Sequence, residues 1–327
     1  MPAISVEGMA TLPIVQLEQL DSVPRAFSAE LGAAFREFGF VGVRGHGIAE
    51  PVVAAAFAAS RVFFAQPLTQ KLECEVAGGA GQRGYTRLGQ EKAKDRALPD
   101  RKEFFHVGRA GAHASLAPNV WPREPAGFRA AMERLFTELD RTGLRVLEGV
   151  ALHLGLERDW FAPRVASGNS ILRAIHYPPI KPLLGRTVSA DEPPGVVRAA
   201  AHEDINVITL LVGSDEPGLE IQTRAGEWLA VTTLPGTIVV NVGDMLARLT
   251  NDALPSTTHR VVDPPPPWSA LSRYSIPFFQ HFAPDVVIRT LPQCCAPQNP
   301  AAGPDRWPDP ITADEFLMQR LREIGLA

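Results

Sequence analysis

The sequence predicts a mainly β core of sandwich or barrel type, flanked by an α-rich N-terminal segment and a C-terminal helix. Three observations carry this. Short β-branched runs separated by turn residues crowd the second half, apolar residues recur at helical spacing in the first, and a helix-capping sequence stands near the end. With 327 residues and 45% hydrophobic content, the chain can bury a large core.

In chain order, residues 26–38 place Phe27, Leu31, Ala34, Phe35 and Phe38 on one helical face, and 52–64 repeat the pattern before Pro67 stops it. Residues 128–154 read as a long helix through Leu135, Leu139, Leu144, Leu147, Val150 and Leu154, with Gly143 as an expected kink and Gly155 as its stop. From Ser170 the period becomes that of strands. The runs 207–212, 219–222, 228–231 and 237–242 are short, β-branched and bounded by Gly, Asp, Glu and Pro. Thr312-Ala-Asp-Glu315 ahead of Phe316, Leu317 and Leu321 is a capping box opening an amphipathic helix. Three regions follow: 1–165, α-rich; 166–290, the β core; and 291–327, a tail with its helix.

Composition narrows the function. A net charge of −4 without basic runs argues against nucleic acid or an anionic membrane, which leaves a small molecule as the partner. Cys74, Cys294 and Cys295 make a poor disulfide framework, because the count is odd and two are adjacent. Neither a signal peptide nor an apolar run near the ~18 residues of a membrane span is visible, so the chain reads as cytoplasmic.

The chemistry gathers in the β-rich half. His202 and Asp204 stand two apart, so an extended backbone points both to one side, and His259 lies in a second strand-like run, Ser256-Thr-Thr-His-Arg-Val-Val. Two imidazoles and one carboxylate on one face of a metal leave open positions for substrates, the arrangement of non-haem Fe(II) sites. A chance His-x-Asp is expected about 0.4 times in such a chain. Position carries the argument: the pair precedes an apolar strand, and the second His follows in the same half. Arg273 and Ser275 obey the same period of two, so guanidinium and hydroxyl project together and suit a carboxylate.

At these residues the chain resembles the 2-oxoglutarate-dependent Fe(II) oxygenases, and within them the isopenicillin N synthase-like family. The resemblance runs from Phe38-Gly39-Phe40 and Gly45-His46-Gly47 to the terminal helix, and is most specific over 170–279. It implies a double-stranded β-helix, or jelly roll, with iron between its sheets. By the same resemblance His202, Asp204 and His259 are the iron ligands, Arg273 and Ser275 clamp the distal carboxylate of 2-oxoglutarate, and Tyr177 lies near the keto acid's other end. Many plant members carry Asn two residues before that tyrosine; this chain has Ile175. The implied reaction consumes O2 and 2-oxoglutarate, releases succinate and CO2, and hydroxylates or desaturates a small molecule. A keto-acid-independent oxidase, or a non-catalytic binding or sensing protein, are the alternatives on the same scaffold.

Further expectations concern the pocket. Arg83 within a glycine-rich lip at 78–84 and Tyr85 just after it, with Phe104, Phe105 and His106 of a second N-terminal segment and Phe279, are read as its lining, which suits an apolar or aromatic substrate with an acidic group. Leu210, Ile221 and Val240 are apolar types that its walls require, and are equally expected as core residues. Asn241-Val-Gly-Asp244 reads as a turn between core strands, its Asp a cap.

Overall fold

The computed structural model describes residues 12–79, 81–91, 98–111, 116–180, 197–212, 217–231, 234–299 and 302–324. Strand β1 (Ile14–Gln16) leads through helices α1 (Gln19–Ser22) and α2 (Pro24–Phe38) into β2 (Phe40–Arg44), which pairs parallel with β1. Gly39 ends α2 at φ 67°, a left-handed conformation that glycine adopts without strain. Helices α3 (Glu50–Phe64) and α4 (Leu68–Leu72) precede β3 (Gly84–Thr86) and β4 (Glu103–Gly108), and the long α5 (Phe128–His153) and short α6 (Ala162–Val165) close the first half.

The core then follows as β5 (Ile171–Tyr177), β6 (Ala199–His202), β7 (Ile208–Val212), β8 (Leu219–Gln222), β9 (Trp228–Ala230) and β10 (Ile238–Val242). After α7 (Asp244–Leu249) come β11 (His259–Val261), β12 (Arg273–Gln280), β13 (Val287–Ile288), β14 (Ile311–Thr312) and α8 (Ala313–Glu323).

Eight strands in the order β1-β2-β10-β7-β12-β5-β4-β3 form the larger sheet, and β6-β11-β8-β9 the smaller one facing it. The first half is therefore less purely helical than its periodicity suggests, since four of its strands extend the larger sheet. Those strands are short, and β4 is buried along its whole length, so it shows no alternation to read.

Period two sorts the central strands. Leu172 and Phe278 point to a core shared with α2, α3 and α5, where Phe136 meets Phe278 edge-on at 5.0 Å. Each such fully buried Leu or Phe contributes roughly 1.5–3 kcal/mol. Helix α5 runs through Gly143 without interruption. A Cβ there would stand 2.3 Å from Gln280 Oε1, so the glycine permits close helix–sheet contact rather than a kink. The terminal helix has the expected cap: Thr312 Oγ1 accepts from the Glu315 backbone N–H, and the Glu315 carboxylate accepts from that of Thr312.

Candidate active site

Between the two sheets lies a cavity of about 480 Å3, of the size small-molecule sites have. One face of β5 supplies Ile171, Arg173, Ile175 and Tyr177, and one face of β12 supplies Arg273, Ser275, Pro277 and Phe279, with His281 continuing the alternation just past the strand. Along one rim, α8 presents Leu317, Arg320 and Leu321, and Arg320 pairs with Asp244 at 2.8 Å.

His202 and His259 face each other across the β6–β11 pair. Strand β6 ends at His202, so Asp204 reaches the site from the following loop and not from a continued strand. Its Oδ1 lies 3.9 Å from His202 Nε2 and 3.8 Å from His259 Nε2, and the ligand atoms of the three residues fall within 4.8 Å of one another. Backbone carbonyls fix both rings: Nδ1 of His202 donates to Ala200 O at 2.8 Å and Nδ1 of His259 to Thr257 O at 3.1 Å. That tautomer leaves each Nε2 lone pair free for a metal. Burial, then neighbouring His259, push the His202 imidazole down to about 4, so it is neutral at pH 7.

The Asp204 carboxylate is held by its other oxygen. Oδ2 accepts from Thr209 Oγ1 at 2.6 Å and from Asn241 Nδ2 at 2.8 Å, all three residues being buried. Burial works to raise this carboxyl, yet the two imidazoles and these two hydrogen bonds outweigh it and keep it below the usual carboxylate range. Asn241 is thus the second-last residue of strand β10, and Asp244 begins α7, whose N-cap is Gly243; the expected turn is a strand-to-helix junction that supports the metal site. Replacing Thr209 by Val, which keeps the shape and removes the hydroxyl, is expected to weaken Co(II) affinity by about 10- to 100-fold. Unchanged affinity in a metal titration would remove Thr209 from the metal's support.

The Arg273 guanidinium is 3% exposed and sits 5.1 Å over the Tyr177 ring, with buried Ser275 on the same face. Its Nε and Nη1 are buried without a hydrogen-bond partner among the described residues. An unpaired buried guanidinium is costly, and a carboxylate is the kind of group that would satisfy it.

Several expected pocket residues lie elsewhere. Arg83 is buried, donating to Ala117 O, Gln82 O and Asn169 Oδ1, and Tyr85 spends its hydroxyl on Glu103 at 2.5 Å. Phe105 packs on Phe63 and Phe128 in the helix-side core. None of the three lines the cavity. Of the lip at 78–84, Ala80 lies outside the described residues; Gln82 borders the cavity. Phe279 and His106 do line it, whereas Leu210 and Val240 turn to the helix-side core and Ile221 to a small cluster with Phe40 and Leu219.

Residues the sequence did not flag complete the wall. Lys102 lies 2.9 Å from both Glu91 and Asp100, and Arg173 reaches Glu91 at 3.2 Å. Period two extended beyond Phe279 reaches His281, a signal that was available. No comparable signal marks Glu91, whose place depends on tertiary packing.

Residues 12–124 match the family model described as non-haem dioxygenase in morphine synthesis N-terminal, and 168–282 that of the 2OG-Fe(II) oxygenase superfamily. A proline hydroxylase of Petromyces alliaceus is 34% identical over 308 residues, 90% of this chain and 92% of the relative. Among solved structures, a 2OG-Fe(II) oxygenase family protein of Caulobacter crescentus is 44% identical, with a TM-score of 0.83 over 97% of this chain and 100% of its own. A full-length Neurospora crassa protein, solved in complex with alpha-KG and thymine, is 29% identical with a TM-score of 0.83 over 98% of this chain and 99% of its own. The donor set and the jelly roll agree with these likenesses, and the chain belongs to the 2OG-Fe(II) oxygenase superfamily as an Fe(II)- and 2-oxoglutarate-dependent dioxygenase.

Proposed function

We propose that this enzyme hydroxylates a small molecule, with Arg273 and Ser275 binding the distal carboxylate of 2-oxoglutarate; Tyr177, expected near the keto acid's other end, supports the clamp from beneath the Arg273 guanidinium. The buried guanidinium of Arg273, whose Nε and Nη1 have no hydrogen-bond partner among the described residues, carries the reading. His202, Asp204 and His259 would hold the iron, which with the keto acid and O2 supplies the oxidant while succinate and CO2 are released. The name of the proline hydroxylase relative supports hydroxylation.

The chain's own contributions are positional. Thr209 and Asn241 fix one Asp204 oxygen and leave the other toward the imidazoles. Helix α8 lays Leu317 and Leu321 along the cavity and is tied down by Arg320, an arrangement suited to keeping water from a reactive centre. The acidic substrate group expected from Arg83 loses that support, because Arg83 is outside the cavity. Three thiols without a disulfide support a cytoplasmic location, and no described helix is long and apolar enough to cross a membrane.

Purified iron-loaded protein is expected to release succinate from 2-oxoglutarate only in the presence of oxygen. Succinate formation that does not depend on oxygen would overturn the proposal.

A further inference from the structure

His281 is a buried titratable group that the metal and keto-acid sites leave unused. It follows β12 on the face shared by Arg273, Ser275 and Phe279, lines the cavity, and is 6% exposed. Its backbone N–H is satisfied by Ser170 Oγ at 3.3 Å, but ring Nδ1 has no hydrogen-bond partner among the described residues. A polar atom buried without a partner is a standing cost in the free protein. In a cavity wall, a bound molecule can remove that cost.

The charge around it limits what the molecule can be. Burial holds the imidazole down to about 4 against the pull of Asp204, so at pH 7 it offers one N–H and one lone pair and no charge. The two cations of the neighbouring wall are already matched: Lys102 by Glu91 and Asp100, Arg173 by Glu91. Nε of Arg173 is also committed, to His106 Nε2 at 2.5 Å. Arg273, further along the same face, is reserved for the keto acid, and Arg83, whose charge also acts on His281, is spent on the carbonyls of Ala117, Gln82 and Asn169 outside the cavity. An ionised group beside His281 would therefore meet no free cation in the wall, and burying it would cost far more than burying an amide or hydroxyl.

We infer that His281 is a substrate-recognition residue, receiving an uncharged hydrogen-bonding group, an amide, imide, carbonyl or hydroxyl, of a small molecule lying near Phe279. The inference rests on the dioxygenase reading, which it deepens by naming the substrate's chemical class.

Two measurements test it. In the first, His281→Leu is compared with the unaltered chain by thermal unfolding, without iron or keto acid. Removing an unpaired buried nitrogen at similar volume is expected to leave the unfolding temperature unchanged or raise it by about 2–4 °C. A fall of several degrees would make the imidazole a packing element and overturn the inference.

In the second, succinate release by the iron- and 2-oxoglutarate-loaded protein is compared across matched probes, thymine against uracil-5-carboxylate and nicotinamide against nicotinate. The uncharged member is expected to stimulate release about tenfold more than its carboxylate partner, the factor a single hydrogen bond can supply. His281→Leu should erase that preference, and His281→Gln, which keeps a donor and an acceptor, should restore part of it. Stronger stimulation by the carboxylates, or an unchanged preference in His281→Leu, overturns the inference. Failure of the dioxygenase reading itself would show as absent succinate with every probe, and would leave the thermal result standing.

Discussion

Replacing His202 and His259 together by Ala is expected to abolish Fe(II) binding and, with it, all succinate release, while the protein stays folded. Both imidazoles are fixed through Nδ1 by backbone carbonyls two residues before them, so their Nε2 atoms serve the ion and no structural bond. Only Asp204 would remain of the three donors, and one carboxylate oxygen alone does not hold a transition metal against water. Metal analysis after dialysis, beside a far-ultraviolet circular dichroism spectrum, checks the result. Full iron occupancy in the folded double variant would overturn the ligand assignment.

Replacing Arg273 by Ala is expected to weaken 2-oxoglutarate binding by about 2–5 kcal/mol, the usual cost of removing one partner from a buried charged pair. The guanidinium is held over Tyr177 and has two buried nitrogens without partners among the described residues, so its orientation is set before the ligand arrives. Arg273→Lys should recover only part, since an ammonium is a point donor and cannot reproduce two parallel N–H bonds. Anaerobic calorimetry of the iron-loaded variants measures this directly. Equal affinity in all three proteins would remove Arg273 from the keto-acid site.

The truncated sites differ in what their loss leaves behind. Without the imidazoles, Asp204 keeps its hydrogen bonds to Thr209 and Asn241 and the two sheets keep their pairing. Without Arg273, the space over Tyr177 is emptied, but β12 keeps its ladders to β5 and β7. Folding and chemistry are separable at both places because the functional atoms point into the cavity and the backbone bonds run along the sheets.

The sequence by itself determined the donor set, the Arg-x-Ser pair, the long helices and the capping box, because each is encoded by residue type at a local period. The strand period placed Arg273, Ser275 and Phe279 on one face, as the structure has them. It left Leu210 and Val240 open between cavity wall and core, where the structure puts them in the core, since in a strand buried on both faces apolar residues occur at every position and the pattern no longer says which side is the cavity. Arg83 and Tyr85 looked like pocket residues because they adjoin a glycine-rich loop, and Phe105 because it stands in a second segment of the half that the resemblance puts over the pocket. Tertiary structure gave each of them partners away from the cavity. Only the packing of β4 against β5, more than sixty residues later, brings Lys102 and His106 to the wall beside Arg173. The hold of Thr209 and Asn241 on Asp204 depends likewise on β7 pairing with β10, a contact between distant segments that no local period encodes.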